Sequence, residues 1–148
     1  MESEGSIEID RPIAEVFEYT TDNVADWSLT CVEEEILEAT PDVVGSTFRI
    51  TTEDRGRRMD FQGIVTRHEP PSFSAVELRG DHFDIDVLYS FDDLDGRTRV
   101  TQHSTVEGKG FVKVMFFLMG WAMKKSGCDA VEAELASLKA KCEARPRS

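Results

Sequence analysis

Tyr89, Gln102 and Ser104 are the polar side chains best placed for ligand chemistry in this 148-residue chain. Phe83, Ile85, Val87, Tyr89 and Phe91 alternate with Asp84, Asp86, Ser90 and Asp92, the pattern of a half-buried strand. Val100, Gln102, Ser104 and Val106 share one face of the next strand, joined to the first by an Asp93-Leu94-Asp95-Gly96 hairpin. Polar groups on an apolar face have two fates. They bond to one another and to water at a rim, or they hold the polar end of an otherwise apolar ligand.

Other reactive residue types carry weaker signals. His68, His82 and His103 are the three histidines, and no His-x-His, His-x3-His or Cys-x-x-Cys spacing accompanies them, so no metal site is expected. His103 alternates with Gln102 and Ser104 and is expected to point outward. Glu34 faces inward if Val32 and Ile36 do, and a buried carboxylate has a raised pKa suited to proton transfer. The run Glu33-Glu34-Glu35 equally describes a solvated face. No pair of inward carboxylates and no His–Asp couple can be placed, so catalytic residues are unassigned and no cofactor is implied.

Strands and helices must position these groups. Ser6–Asp10 alternates as a strand, and Asp10-Arg11-Pro12 opens a short amphipathic helix carrying Ile13, Val16, Phe17 and Tyr19. One further turn ends on Trp27. Strands are expected at 32–37, 47–52, 57–68, 72–79, 83–92 and 98–106, with Met59, Phe61, Gly63 and Val65 on one face of the third of these. From Phe111 to about Glu143 the period is helical. Phe117, Trp121, Cys128, Val131, Leu135, Leu138 and Cys142 form one stripe, interrupted at Lys124. A straight helix of that length would be about 48 Å long, so a bend is expected near Gly120 or Ser126-Gly127. Met115, Met119 and Met123, with Phe116, Phe117 and Trp121, make a soft apolar wall, which suits a variable ligand or equally a plain core or dimer face. The order of elements is α+β: a seven-stranded antiparallel sheet, curved, with two short helices after its first strand and a long C-terminal helix over it.

Charge and cysteines narrow the classes of partner. The formal net charge is −12, and thirteen of the 29 acids lie in residues 1–43 against Arg11 alone. Such a surface repels phosphate backbones, which excludes nucleic acid and disfavours anionic membranes as partners. The basic tail (Lys139, Lys141, Arg145, Arg147) suits the negative end of the last helix. Cys31, Cys128 and Cys142 are odd in number and widely spaced, as in reduced cytoplasmic proteins. Met1–Gly5 lacks the basic and apolar regions of a secretory signal. The longest apolar stretch, 111–123, is too short for an integral membrane segment. The length suits a single domain over 1–148, with 1–5 and 144–148 as frayed tails. A monomer and a homodimer are both compatible with this composition.

Ile7-Glu8-Ile9-Asp10-Arg11-Pro12 is followed by Val16-Phe17-Glu18-Tyr19-Thr20-Thr21-Asp22 and Trp27. Further on come Val44-Gly45-Ser46-Thr47-Phe48, Val65 with Glu69-Pro70-Pro71, and Tyr89-Ser90-Phe91 with Gly96-Arg97-Thr98-Arg99-Val100-Thr101. Leu138-Lys139 and Glu143 close the series. Over residues 6–143 this series resembles the START-like (SRPBCC) superfamily and, within it, the polyketide cyclase/dehydrase-type branch. The resemblance implies a helix-grip (Bet v 1-like) fold. It also implies a small hydrophobic ligand, lipid-, polyketide- or isoprenoid-like, held between sheet and C-terminal helix. Met59, Phe61, Val87, Phe117 and Trp121 would then be walls, and Tyr89, Gln102 and Ser104 polar contacts. Two alternatives stand beside it: a cyclase/dehydratase-like enzyme, and an interaction protein whose cavity is filled by side chains.

Overall fold

The computed structural model describes residues 2–54 and 56–146, and the side chains of residues 116 and 120–124 lie outside that description. Strand β1 (Glu2–Ile9) leads to helices α1 (Ile13–Asp22) and α2 (Val24–Trp27). Strands β2 (Cys31–Glu38), β3 (Thr47–Asp54), β4 (Arg57–Glu69), β5 (Phe73–Arg79), β6 (Phe83–Asp93) and β7 (Thr98–Gly108) follow. Helices α3 (Phe111–Leu118) and α4 (Gly120–Ala144) complete the chain. The strands form one antiparallel sheet in the order β1-β7-β6-β5-β4-β3-β2. This is the helix-grip architecture.

β1 begins earlier than the alternation at Ser6 suggests. Glu2–Gly5 are not a frayed tail: they pair with Gln102–Thr105. The physical reason lies in the partner and in the helix above. β7 is eleven residues long and offers hydrogen-bonding groups beyond Ser6, and small residues let α4 settle onto β1. A Cβ on Gly5 would stand 3.0 Å from the Val131 side chain, and one on Gly127 would collide with the Ser3 hydroxyl.

Three bulges shape the other half of the sheet. Extra residues sit at Val32, Leu37 and Thr66, where the register shifts by one. A bulge bends its strand and swaps the faces of the residues beyond it. Val65 and His68 therefore share a face, opposite Val76 and Ser74.

The expected bend in the C-terminal helix is a break at Met119 (φ −119°, ψ 22°), which separates α3 from α4. The apolar stripe therefore does not run through it. Val131, Leu135, Leu138 and Cys142 are buried, whereas Phe117, on the separate helix α3, is 88% exposed.

Candidate functional site

The concave face closes at one end and lies half-covered at the other. At the closed end Val131, Leu135, Leu138 and Cys142 of α4 pack with Ile9, Val16, Phe17, Trp27, Phe91 and Val100. Across β2–β6 a second cluster gathers Cys31, Ile50, Phe61 and Leu78 with the half-buried Phe48, Met59, Val76, Phe83 and Ile85. Among the described residues, every member of that cluster except Val24 comes from the sheet. Two glycines flatten the floor. The Phe48 ring lies where a Cβ on Gly63 would stand, and the Phe61 ring where one on Gly80 would.

A polar row crosses the boundary between these regions. His68 pairs with Ser74, Ser74 with Tyr89, Tyr89 with Gln102, and Gln102 with Gly5. Ser104 follows on the same face, between Val87 and Ser3. The Gln102 amide is 8% exposed. Its Nε2 donates to Ser104 Oγ at 3.1 Å, while Oε1 is buried with no hydrogen-bond partner among the described residues. A buried acceptor left in that state costs about 1–3 kcal/mol. The Tyr89 ring meets Trp27 edge-on at 6.2 Å. Burial, reinforced by the charge of Glu134, raises the Tyr89 hydroxyl above its usual pKa and keeps it a neutral donor.

Carboxylates gather at the side of this space bounded by β2 and α4. Glu34 lies opposite Ile50 on the concave face, half-buried. It shares that face with Ile36, while Val32 occupies the bulge and is 49% exposed. Burial first, and Asp22 second, raise the Glu34 carboxyl above the usual range. Glu134 on α4 accepts the Ser28 hydroxyl at 2.7 Å and the Leu29 backbone N–H at 2.8 Å. Burial raises its carboxyl too, against those bonds. Between the two, burial and then the charge of Glu34 push the Cys31 thiol up to about 11. The arrangement supplies proton donors and acceptors in a desolvated setting, the requirement for acid–base work.

Met59, Phe61 and Val87 stand on the concave face of β4 and β6, and Tyr89, Gln102 and Ser104 come together in and beside the polar row. Phe117 does not join them. It points to solvent with Phe111, Val114 and Leu118 of α3, because the break at Met119 turns α3 out of the phase of α4. The Trp121 side chain lies outside the described residues. His103 faces outward as expected, 3.8 Å from Glu2. Sequence reasoning named His68 and Cys31 without placing them at the site, and did not single out Ser74 or Glu134. A signal existed for Glu134, which is three residues after Val131 and four before Leu138, on the edge of the buried stripe. His68 carried none, because the bulge at Thr66 reverses its parity. Among the described residues, no group of three or more His, Cys, Asp or Glu is placed to hold a metal. Nor is any described helix long and apolar enough to cross a membrane.

The family model for polyketide cyclase / dehydrase and lipid transport matches residues 1–143. The chain belongs to this family. Solved structures share the fold of this polyketide cyclase/dehydrase-type protein at low identity. A START superfamily protein from Mycobacterium smegmatis superposes with a TM-score of 0.82 at 20% identity, over 96% of this chain and 97% of that one. The Zhui aromatase/cyclase from Streptomyces sp. R1128 does so with a TM-score of 0.80 at 17% identity, over 100% and 96%. TTHA0849 from Thermus thermophilus does so with 0.80 at 16% identity, over 97% and 98%. No curated protein matches the sequence.

Proposed function

We propose that this family member binds a small hydrophobic molecule, lipid-, polyketide- or isoprenoid-like, against the half-covered floor of β3–β6. One observation carries the reading. Met59, Val76, Phe83, Ile85 and Val87 turn toward the concave side yet remain half-buried, while the other end of the same face is packed shut. Partly covered apolar surface of this kind gains most from a guest that removes it from water, at roughly 25 cal/mol per Å2. Met59, Phe61 and Val87 would supply wall contacts, with Tyr89, Gln102 and Ser104 orienting the guest. The family's description, which joins cyclisation, dehydration and lipid transport, supports the same class of ligand.

Titration with Nile red tests this. Wild type is expected to bind with a blue-shifted emission. Val87→Trp, which fills the floor, should weaken binding at least tenfold. Ile64→Trp, on the outer face, should leave it unchanged. Equal binding by all three proteins would sink the reading and favour a filled interior, with the acidic first third as an interaction surface.

Glu34 and Glu134 favour a second reading, cyclase- or dehydratase-like chemistry on the bound molecule. Two carboxyls raised by burial on the same side of the space are poised to exchange protons with a guest. A poly-β-ketone thioester offered as substrate should then cyclise with a pH–rate profile that Glu34→Gln and Glu134→Gln each alter. Turnover at the uncatalysed rate leaves binding as the whole function.

A further inference from the structure

We infer that α3 is a membrane-docking helix: its exposed apolar ridge sinks into the surface of a lipid bilayer that carries anionic headgroups, and Lys113 and Lys125 pair with those headgroups. The contact is separate from the floor of β3–β6, and docking does not depend on a guest.

Local sequence builds the ridge. Gly110 (φ 58°, ψ −127°) precedes α3 and the break at Met119 ends it, so eight residues form a separate helix about 12 Å long. Val112 seals the inner side: a Cβ on Gly108 of β7 would stand 2.9 Å from the Val112 side chain. Val112 and Met115 are half-buried. Phe111, Val114, Phe117 and Leu118 recur at intervals of three and four, so they share the other side. They are between 55% and 88% exposed. The two phenylalanine rings alone present on the order of 300 Å2 of apolar surface. A continuous row of this kind, unlike scattered exposed side chains, marks a docking surface.

Charge names the partner. Residues 108–128 hold four lysines and no Asp or Glu, the longest acid-free stretch in a chain with 29 acids. Lys109 is committed to Asp84 at 3.0 Å and to the Gly80 carbonyl at 2.8 Å. Lys113 and Lys125 are exposed and make no ion pair among the described residues. Lys113 lies one turn before Phe117, at the edge of the ridge. An apolar row edged by cations matches the layers of a bilayer surface. The rings go below the headgroups, while the lysine stems run along the apolar surface and carry their ammonium groups up to the phosphates. The net charge of −12 does not cancel this attraction, because at 0.15 M salt charges more than about 8 Å away are largely screened. A second copy of the chain fits less well. A two-fold contact through α3 sets the same patch against itself and brings like-charged lysines together. Docking of this kind lays α3 on the membrane without any segment crossing it.

Co-sedimentation with sucrose-loaded vesicles at 0.15 M salt tests the helix, with POPC alone and with equimolar POPC and POPG. Wild type is expected to partition onto the mixed vesicles at least about tenfold more strongly than onto POPC. Phe117→Ser combined with Leu118→Ser should lower that partitioning about tenfold or more, and Lys113→Glu should do the same. All three positions are exposed, so the fold is kept, which circular dichroism checks. Ile64→Ser, on the outer face of the sheet, should change nothing. Equal partitioning onto the two vesicle types overturns the role of the lysines and the inference with it. Unchanged partitioning of the double serine variant also overturns it, by placing the contact elsewhere. If wild type binds neither vesicle and sediments as a dimer that the double variant dissolves, the ridge belongs to a second copy and the inference falls. A monomer that binds neither vesicle overturns it as well. Nile red titration is read separately, so the binding reading stands or falls by itself.

Discussion

The two ends of the concave face use one alternation of inward apolar residues and finish it differently. At the closed end α4 comes down onto β1 and β7 until Leu138, Ile9 and Val100 are 0% exposed and Leu135 is 1% exposed. Gly5, Ser3 and Gly127 make that approach possible, since larger residues there would hold the helix off. Hydrogen bonds then fasten it. The buried Arg11 guanidinium donates to the backbone carbonyls of Asp10, Glu143 and Arg145. Thr98 Oγ1 donates to the Arg11 carbonyl at 2.8 Å, and Ser137 Oγ to that of Trp27 at 2.6 Å. Across β3–β6 many inward side chains stay half-buried, and every described member of their cluster but Val24 comes from the sheet itself. The difference teaches a division of labour: one end holds the register of β6 and β7, and so the polar row on them, while the other keeps apolar surface available.

The largest effect that could break this division is on stability. Leu135→Ala should cost about 3 kcal/mol, because Leu135 is enclosed on every side and the helix cannot collapse into the gap. Val76→Ala, on the half-covered floor, should cost about 1 kcal/mol or less, since part of the group it removes already meets water. Chemical denaturation of the two variants compares them directly. Equal losses would mean that the floor is as tightly packed as the closed end.

Next in size is the fastening itself. Arg11→Met keeps the aliphatic stem but removes the donors from the last carbonyls of α4, groups that no intrahelical bond satisfies. A loss of about 2 kcal/mol is expected, with fraying of α4 from its C-terminus seen as faster amide exchange in 139–144. A stable variant with unchanged exchange would show that water replaces the guanidinium, and that the closed end depends on packing alone.

How much of this was legible beforehand follows the same division. The closed end was readable because helical and strand periods run there without interruption: Val131, Leu135, Leu138 and Cys142 on α4, Val100, Gln102 and Ser104 on β7. Parity carried Met59, Phe61, Val87 and Tyr89 to the concave face for the same reason. Parity stops working at an inserted residue. Bulges at Val32 and Thr66 decide where Glu34 and His68 point, and one extra residue leaves no mark on composition. Phe117 was misplaced because a repeat of 3 and 4 reads straight across a break, and the backbone turn at Met119 resets its phase. Glu134 was missed because it is defined by partners 105 and 106 residues away, Leu29 and Ser28.

Titration distinguishes the two ends by sign. Glu143, at the closed end, is held below the usual carboxylate range by the Asp10 backbone N–H first and Lys139 next. A lowered folded pKa contributes stability that is present above the unfolded value and lost as pH falls through the folded one. Glu34 and Glu134 are raised by burial, so their contribution is fully present below the unfolded value and lost as pH rises through their folded values. Denaturation should therefore show Glu34→Gln and Glu134→Gln gaining on wild type as pH rises above the ordinary glutamate value of 4.5, and wild type losing its advantage over Glu143→Gln as pH falls below that value. Slopes of the same sign for all three would erase the contrast between a solvated clamp and a desolvated mouth.

The smallest effect is kinetic and uses the cysteines as reporters. Cys128 is half-buried and should be alkylated first by iodoacetamide at pH 8. Cys31 and Cys142 are both buried, with burial the leading cause that pushes their thiols up, to about 11 and about 12 respectively. The thiolate is the reacting species, and the larger upward shift lies at Cys142, which favours Cys31. Location adds to it. Cys31 borders the half-covered floor, where few contacts must part to admit reagent, whereas Cys142 lies under the closed end and opens only with α4. Nile red bound on the floor should slow Cys31 and leave Cys142 unchanged, because a guest stabilises only the openings that expel it. Equal protection of both cysteines would place the guest's effect on the whole fold rather than on one end, and the two regions would have to be treated as one cooperative unit.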